Sequence, residues 1–414
     1  MGLRSNIKKL IGPKNQYRIK AVKARIKYLK TRRNAGVVME SQAWAEPVVY
    51  ALPGKHVFFG YYDLQQLSPK KDKLLVTAVS VGADAARDPA QVQWVDTADG
   101  SFHEIGTTRA WCWQQGCRLR WHPVRPDTVM YNDLEGGRYV CRIVSLQTGK
   151  TETVPEALYD ITPDGRYGLS LDYPRLQRLR PGYGYGAVPD ETRGELLPDK
   201  AAIWRLDLHT GETVPVVTYG HLAELSPEAA GHENYINHIS VSPDGERFSF
   251  FHLWTVGQRW NGRLYVARVD GSGIQCVEDG FIPSHYCWLG DDALLITSVG
   301  FGGSPSYYYR YDLTTMGRVR LQNDQLERDG HPSPLPDGRF VTDTYPQADG
   351  RQRLFLAGLD GSGFEPICRV YSNPRLFEEK RCDLHPRLTP DGGIITIDST
   401  FREGKRAVLL LRHK

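Results

Sequence analysis

Asn237-His-Ile-Ser-Val-Ser-Pro-Asp-Gly245 reads as an apolar strand that runs into a tight turn. Proline fixes φ at the turn's second position, aspartate caps the backbone with its side chain, and glycine takes the left-handed position. The signal recurs as Leu67-Ser-Pro-Lys70, His122-Pro-Val124, Thr162-Pro-Asp-Gly165, Leu289-Gly-Asp-Asp292, Leu335-Pro-Asp-Gly338 and Thr389-Pro-Asp-Gly392, seven times in all. Each is followed by a β-rich run such as Leu74-Leu-Val-Thr-Ala-Val79 or Ile394-Ile-Thr-Ile397.

A second hairpin signal follows each of the first six: Val95-Asp-Thr-Ala-Asp-Gly100, Leu146-Gln-Thr-Gly149, Leu208-His-Thr-Gly211, Val269-Asp-Gly-Ser-Gly273, Leu313-Thr-Thr-Met-Gly317 and Leu359-Asp-Gly-Ser-Gly363. After the seventh turn one further strand fits, Arg406 to Leu411, and Val48-Val-Tyr-Ala-Leu52 supplies the missing outer one. Four strands per unit, seven units and a closed last blade predict an all-β, seven-bladed β-propeller over residues 45–414, an architecture that leaves few exposed edges. Successive turns lie 40 to 54 residues apart, except for about 80 between blades 3 and 4. The excess is an insertion at 174–200, rich in Arg, Gly, Tyr and Pro and without the apolar periodicity of a separate core.

Residues 1–44 have a different texture. The chain's net charge of +4 hides 12 Lys/Arg in the first 39 residues with no acid, against 40 basic and 48 acidic residues in the remainder. Residues 5–33 predict a helix: Ile7, Leu10 and Ile11 share one face before Gly12-Pro13, then Ile19, Val22, Ile26 and Leu29 continue an apolar stripe. A cationic helix of this kind suits an anionic membrane surface or a packed partner. No aromatic-interleaved reader accompanies the charge, so nucleic acid is not an expected partner. Seven irregularly spaced cysteines do not make a disulfide framework. No secretory signal and no run of about 18 apolar residues is present, so the expectation is a cytoplasmic protein, peripheral at the inner membrane face.

Four histidines share one repeat offset. His238, His285, His331 and His385 each lie five residues before the same turn position in blades 4 to 7, where Leu64, Arg118 and Leu158 stand in blades 1 to 3. Equivalent positions entering inner strands face the channel, so the imidazoles should converge at one mouth. Such a cluster suits a metal or acid–base site, with Cys382 of Cys382-Asp-Leu-His385 as a soft ligand. Structural plugs in the channel, or a closed zinc site of Cys368, His331, Cys382 and His385, are the alternatives. Loops on that face carry His252, Trp254, Arg259 and Trp260 in blade 4, Arg402 in blade 7, and Arg175, Arg178, Arg180, Tyr183 and Tyr185 in the insertion. Arginines bind carboxylates bidentately and aromatic rings stack on sugars, so an anionic ligand is expected above the histidines. Phosphate-binding loops, dinucleotide fingerprints, nucleophile elbows and His-Glu-x-x-His helices are absent.

At Asn237-His-Ile-Ser-Val-Ser-Pro-Asp-Gly245, Ser284-His-Tyr-Cys-Trp288 and Leu384-His-Pro-Arg-Leu-Thr-Pro-Asp-Gly392 the chain resembles the oligogalacturonate lyases, a family of seven-bladed propellers. It is similar in style to the propeller ulvan lyases. The resemblance implies β-elimination on an acidic, uronic-acid-containing oligosaccharide, with a divalent metal, manganese or zinc. It places the base at His238 and, on that view, His285, His331, Cys382 and His385 hold the metal. Cys382 and Arg387 stand where the family has Gln and His. Arg259, or the insertion arginines Arg175 and Arg180, would bind carboxylates with His252, Tyr183, Arg387 and Arg402 nearby, and Tyr286 is a second candidate for proton transfer. The competing reading is a non-catalytic propeller that binds a glycan or a protein in a surface-polysaccharide assembly system.

Overall fold

The computed structural model describes residues 13–256, 259–300, 304–402 and 404–414, and the side chains of residues 13, 14 and 259 also lie outside the description. Seven antiparallel sheets form the blades. Their inner strands are Lys55–Phe58, Arg120–Trp121, Asp160–Ile161, Asn234–Val241, Pro283–Trp288, Ser333–Pro334 and Arg387–Leu388. The turns behave as their chemistry requires. In blade 4, Gly245 N–H donates to Ser242 O at 2.9 Å, Asp244 accepts from Glu246 N–H at 3.0 Å, and Gly245 sits at φ +77°.

Closure comes from both chain ends. Blade 7 takes Arg387–Leu388, Ile394–Ser399 and Ala407–Arg412 from the C-terminus, while Val48–Tyr50 adds as its outer strand. Val37–Met39 pairs with Glu365–Tyr371 as a fifth strand of blade 6, and Trp44 is buried among blade 6 and 7 residues. The chain therefore joins the propeller at residue 37, earlier than the boundary expected at 45. This second clasp removes an exposed strand edge from blade 6.

Helix Pro13–Thr31 continues into a 3₁₀ turn at Arg32–Asn34 and rests on the outside of the propeller. Ile7, Leu10 and Ile11 fall outside the described residues. Tyr17 packs on Phe377 with ring centroids 5.3 Å apart, and the Thr31 hydroxyl lies 3.2 Å from the Tyr371 hydroxyl. Among the described residues no helix is long and apolar enough to cross a membrane.

The insertion begins with a short helix, Tyr173–Leu179, capped by Asp172, which accepts from Arg175 N–H at 3.1 Å. It has no core of its own. Tyr173 and Tyr185 stack at 4.2 Å, and the Asn132 amide of blade 2 donates to Tyr185 Oη at 2.9 Å. All seven cysteines are free.

Candidate active site

The four histidines meet around one pair of rings. The inner strand of blade 1 leads into Phe59-Gly-Tyr-Tyr-Asp63, which carries Tyr61 and Tyr62 to the axis. Tyr61 stands 5.0 Å from both His238 and His385, and Tyr62 stands 5.5 Å from His238, 5.3 Å from His331 and 6.0 Å from His285. His285 and His331 are 4.1 Å apart, His331 and His385 4.4 Å, centroid to centroid. All four are buried.

Three of the imidazoles are oriented by an acceptor on Nδ1. His285 Nδ1 meets Asp329 Oδ1 at 3.0 Å, His331 Nδ1 meets Asp343 Oδ1 at 2.8 Å, and His385 Nδ1 meets Gly60 O at 2.7 Å. Carboxylates and carbonyls only accept, so each ring donates from Nδ1 and turns Nε2 inward. Metal-ligating histidines are held in this way. Nε2 of His331 is buried with no hydrogen-bond partner among the described residues. Asp343 also accepts the backbone N–H of His331 at 2.9 Å and of His385 at 3.3 Å, so one carboxylate fixes two strand entries.

Electrostatics separate the rings. Burial, with Arg118 and the other imidazoles, pushes His238 well below its ordinary pKa; burial, His331 and Arg387 do the same to His385. Burial opposes charge on His331 as well, but Asp343, Asp383 and Asp329 outweigh it and raise that ring. Among the described residues, His331, Asp383 and His385 form a group whose ligand atoms all lie within 4.8 Å of one another. The donor set and the tethered Nδ1 atoms fit a divalent metal such as manganese or zinc.

The expected thiolate ligand is corrected. Cys382 precedes Asp383 by one residue, and the carboxylate rather than the sulfur joins the cluster. The Cys382 Sγ contacts Asp383 O at 3.7 Å, and burial pushes the thiol up to about 12. Cys368 sits in the apolar core of blade 6, and burial likewise raises it to about 12, which leaves the closed Cys/His zinc site without its sulfurs.

Above the histidines lies a cleft of about 670 Å³ lined by Arg180, Tyr183, Tyr235, Trp260, Glu379 and Arg381 among others. Arg180 stacks between Tyr183 at 4.6 Å and Trp260 at 4.9 Å. Arg381 pairs with Asp383 at 2.8 Å and donates to Tyr183 Oη at 3.1 Å. Tyr183 is 6.4 Å from Tyr61, and Tyr345, beneath Arg381, is 5.9 Å from His331. The cleft floor and the histidine layer thus touch through Tyr61 and Tyr345.

Of the expected ligand-binding side chains, Arg180, Tyr183 and Trp260 line this cleft, whereas Arg175, Arg387, His252 and Arg402 do not. Arg175 is fully buried and spends its guanidinium on Asn234 O at 2.7 Å, Thr192 Oγ1 at 2.8 Å and Glu195 O at 2.9 Å. Arg387 is buried against Asp398 at 3.0 Å and lines a separate cavity at the turn-side end of the channel. His252 lies fully buried inside blade 4 against Trp254 and Tyr265. Arg402 is exposed over Phe401, away from the cleft. The side chain of Arg259 lies outside the described residues. Tyr286 stacks on His238 at 4.3 Å, but its hydroxyl donates to the His238 and Ser249 carbonyls and is not available for proton transfer.

Sequence reasoning missed Tyr61, Tyr62, Asp329, Asp343, Asp383 and Arg381. One signal was readable: Asp329-Gly-His331 and Asp383-Leu-His385 repeat Asp-x-His at the same offset in adjacent blades.

No protein-family profile matches the chain, and no curated protein sequence matches it. Solved structures do. An oligogalacturonate lyase in complex with manganese superposes with a TM-score of 0.64 at 18% identity, covering 92% of this chain and 98% of that one. An oligogalacturonate lyase from Vibrio parahaemolyticus gives 0.61 at 14% identity, covering 92% and 100%. The tricorn protease gives 0.51 at 12% identity, covering 90% of this chain but 34% of its own. At these identities the likeness establishes the architecture: the chain is a seven-bladed β-propeller built like those of the oligogalacturonate lyases.

Proposed function

We propose that the chain is a carbon–oxygen lyase that cleaves a uronic-acid-containing oligosaccharide by β-elimination. The observation that carries this reading is the convergence of four imidazoles beneath an arginine- and aromatic-lined cleft, three of them with Nδ1 tethered. Arg180 and Arg381 are the carboxylate-binding side chains, and Tyr183, Tyr235 and Trp260 are the stacking surfaces for sugar rings. When bound, a divalent metal supplies neutralisation of the uronate carboxylate, which acidifies the proton on the adjacent ring carbon; its holders here are His331, Asp383 and His385, with His285 alongside.

His238 is the base. Its pKa is held well below the ordinary value, so the resting ring is neutral with a free lone pair, and neither ring nitrogen has a hydrogen-bond partner among the described residues. Asp63 Oδ2 lies 3.7 Å from Nε2, and its carboxylate is paired bidentately with Arg118. In the elimination the C5–H bond breaks towards His238, the C4–O4 bond breaks towards the leaving sugar, whose O4 takes a proton from water, and the C5–H electron pair becomes the C4=C5 double bond. Tyr61 covers His238 and His385, and burial raises its phenol well above the ordinary value, so it stays protonated. Displacement of this ring connects the cleft to the imidazoles.

The burial of all four histidines favours a second reading, a glycan-binding propeller without turnover. Incubation with acidic oligosaccharides, oligogalacturonate first, and with manganese decides between them through the new ultraviolet absorbance of an unsaturated uronate. The lyase reading expects His238→Ala to keep the metal and lose this signal. Tight binding with no unsaturated product from any uronic-acid substrate overturns it in favour of the second.

A further inference from the structure

The N-terminal helix has two apolar faces, and the propeller uses one of them. Tyr17, Ala24, Tyr28 and Thr31 fall on the inner face: Ala24 and Thr31 are buried, Tyr17 packs on Phe377, and Tyr28 lies under Arg375 at 5.4 Å. Ile19, Val22, Ile26 and Leu29, spaced three, four and three residues apart, fall on the opposite face. Their exposures are 42%, 58%, 49% and 55%, so this stripe has no cover among the described residues. Basic side chains flank it on both sides, Lys20, Lys23, Lys27 and Lys30 on one and Arg18 and Arg25 on the other; residues 15–33 hold eight Lys/Arg and no acid.

We infer that this outer face docks on an anionic lipid bilayer, with the four aliphatic side chains entering the headgroup boundary and the flanking cations meeting lipid phosphates. An apolar stripe bordered by cations is the pattern of an interfacial helix. A second copy of the chain is the poorer occupant, because stacking two such stripes would set the flanking cations of one helix against those of the other. The docked helix also fixes the propeller's orientation. Lys20 pairs with Glu378, and Glu378 and Glu379 line the cleft above the histidines. A chain anchored through this helix therefore carries its cleft rim beside the bilayer, whatever chemistry the cleft performs.

The test is co-sedimentation of the full chain with vesicles of phosphatidylcholine alone and with added phosphatidylglycerol. Binding is expected to the anionic vesicles only and to fall at least about tenfold in raised salt. Val22→Asp with Ile26→Asp should weaken it at least about tenfold again, because the cations remain but the apolar stripe is lost. Both positions are exposed, so the melting temperature of the variant should match the parent, which separates lost docking from lost folding. Absence of sedimentation, equal binding to both vesicle types, or binding indifferent to the two substitutions overturns the inference. So does a concentration-dependent dimer that Val22→Asp dissolves, which would identify a second copy as the occupant.

Discussion

Asp398 holds the base of the site together, and its removal can be costed from the structure. Its carboxylate is 1% exposed and accepts Phe59 N–H at 3.1 Å, Gly60 N–H at 3.1 Å and Arg387 Nη2 at 3.0 Å. Gly60 O, on the same peptide segment, orients His385. Asp398→Ala strands a buried guanidinium, at about 3–5 kcal/mol, and leaves two backbone donors unpaired at about 1–3 kcal/mol each. These terms overlap, so the expected loss is about 4–6 kcal/mol, a large share of the roughly 5–15 kcal/mol that folded domains possess. Asp398→Asn keeps the shape and one carbonyl oxygen and should cost about 2–3 kcal/mol. Urea unfolding followed by tryptophan fluorescence reads both. Arg387→Met combined with Asp398→Asn should cost less than the two single changes summed, since the stranded charge is gone. A loss below about 1 kcal/mol for Asp398→Ala, or strict additivity in the cycle, would refute the reasoning.

Three further outcomes are expected. His331→Ala and His385→Ala should each abolish stoichiometric manganese or zinc binding measured by elemental analysis after dialysis, whereas Cys382→Ser should keep the metal. Arg175→Ala should destabilise the fold by about 3 kcal/mol or more, because several carbonyls lose a buried donor, while Arg180→Ala should leave the melting temperature nearly unchanged and weaken binding of acidic oligosaccharides. Burial, then Arg263, pushes His252 down to about 3, so the folded ring stays neutral while the unfolded one protonates near its ordinary value of about 6.5. Its contribution is complete above about 6.5 and is lost as pH falls towards 3, at up to about 1.4 kcal/mol per pH unit; His252→Phe should shrink the difference between urea midpoints at pH 7 and pH 5.

The blade count was legible because Pro-Asp-Gly turns are local chemistry, fixed within four residues and indifferent to tertiary context. The register of the histidines was legible for the same reason, as a distance along one strand. The partners were not, because Asp343 reaches both His331 and His385, and Asp398 reaches Phe59 across the closure of the ring. Such contacts depend on which blades meet at the axis. The insertion failed differently. Asp172-Tyr-Pro174 carries a helix-capping signal, an aspartate followed by a proline in the first turn, yet the segment's glycines and arginines suggested a loop of ligand-binding arms. Burial decided the outcome: Arg175, on the helix, became a strut, and Arg180, just past its end, became an arm of the cleft.

Strict strand alternation is not what brings the histidines together. A one-residue bulge should turn a side chain away from its face, and blade 4 is irregular between Asn237 and Ser240, as blade 5 is between Pro283 and His285. His238 and His385 adopt φ of 51° and 48°, and Arg118, at the same offset in blade 2, adopts 54°. Left-handed backbone is costly for residues other than glycine, so its recurrence at one repeat position needs a compensating hold. The Tyr286 hydroxyl donates to His238 O, Asp343 accepts His385 N–H, and Arg118 makes a bidentate pair with Asp63 at 3.0 and 2.9 Å. The departures are not identical, since His238 and His385 are left-handed while His285 and His331 are not, and the four rings nevertheless meet around Tyr61 and Tyr62. Equal offsets thus predicted the right assembly through equivalence between blades rather than through the period of a single strand, and the backbone departs from the regular ladder where His238, His285 and His385 are presented.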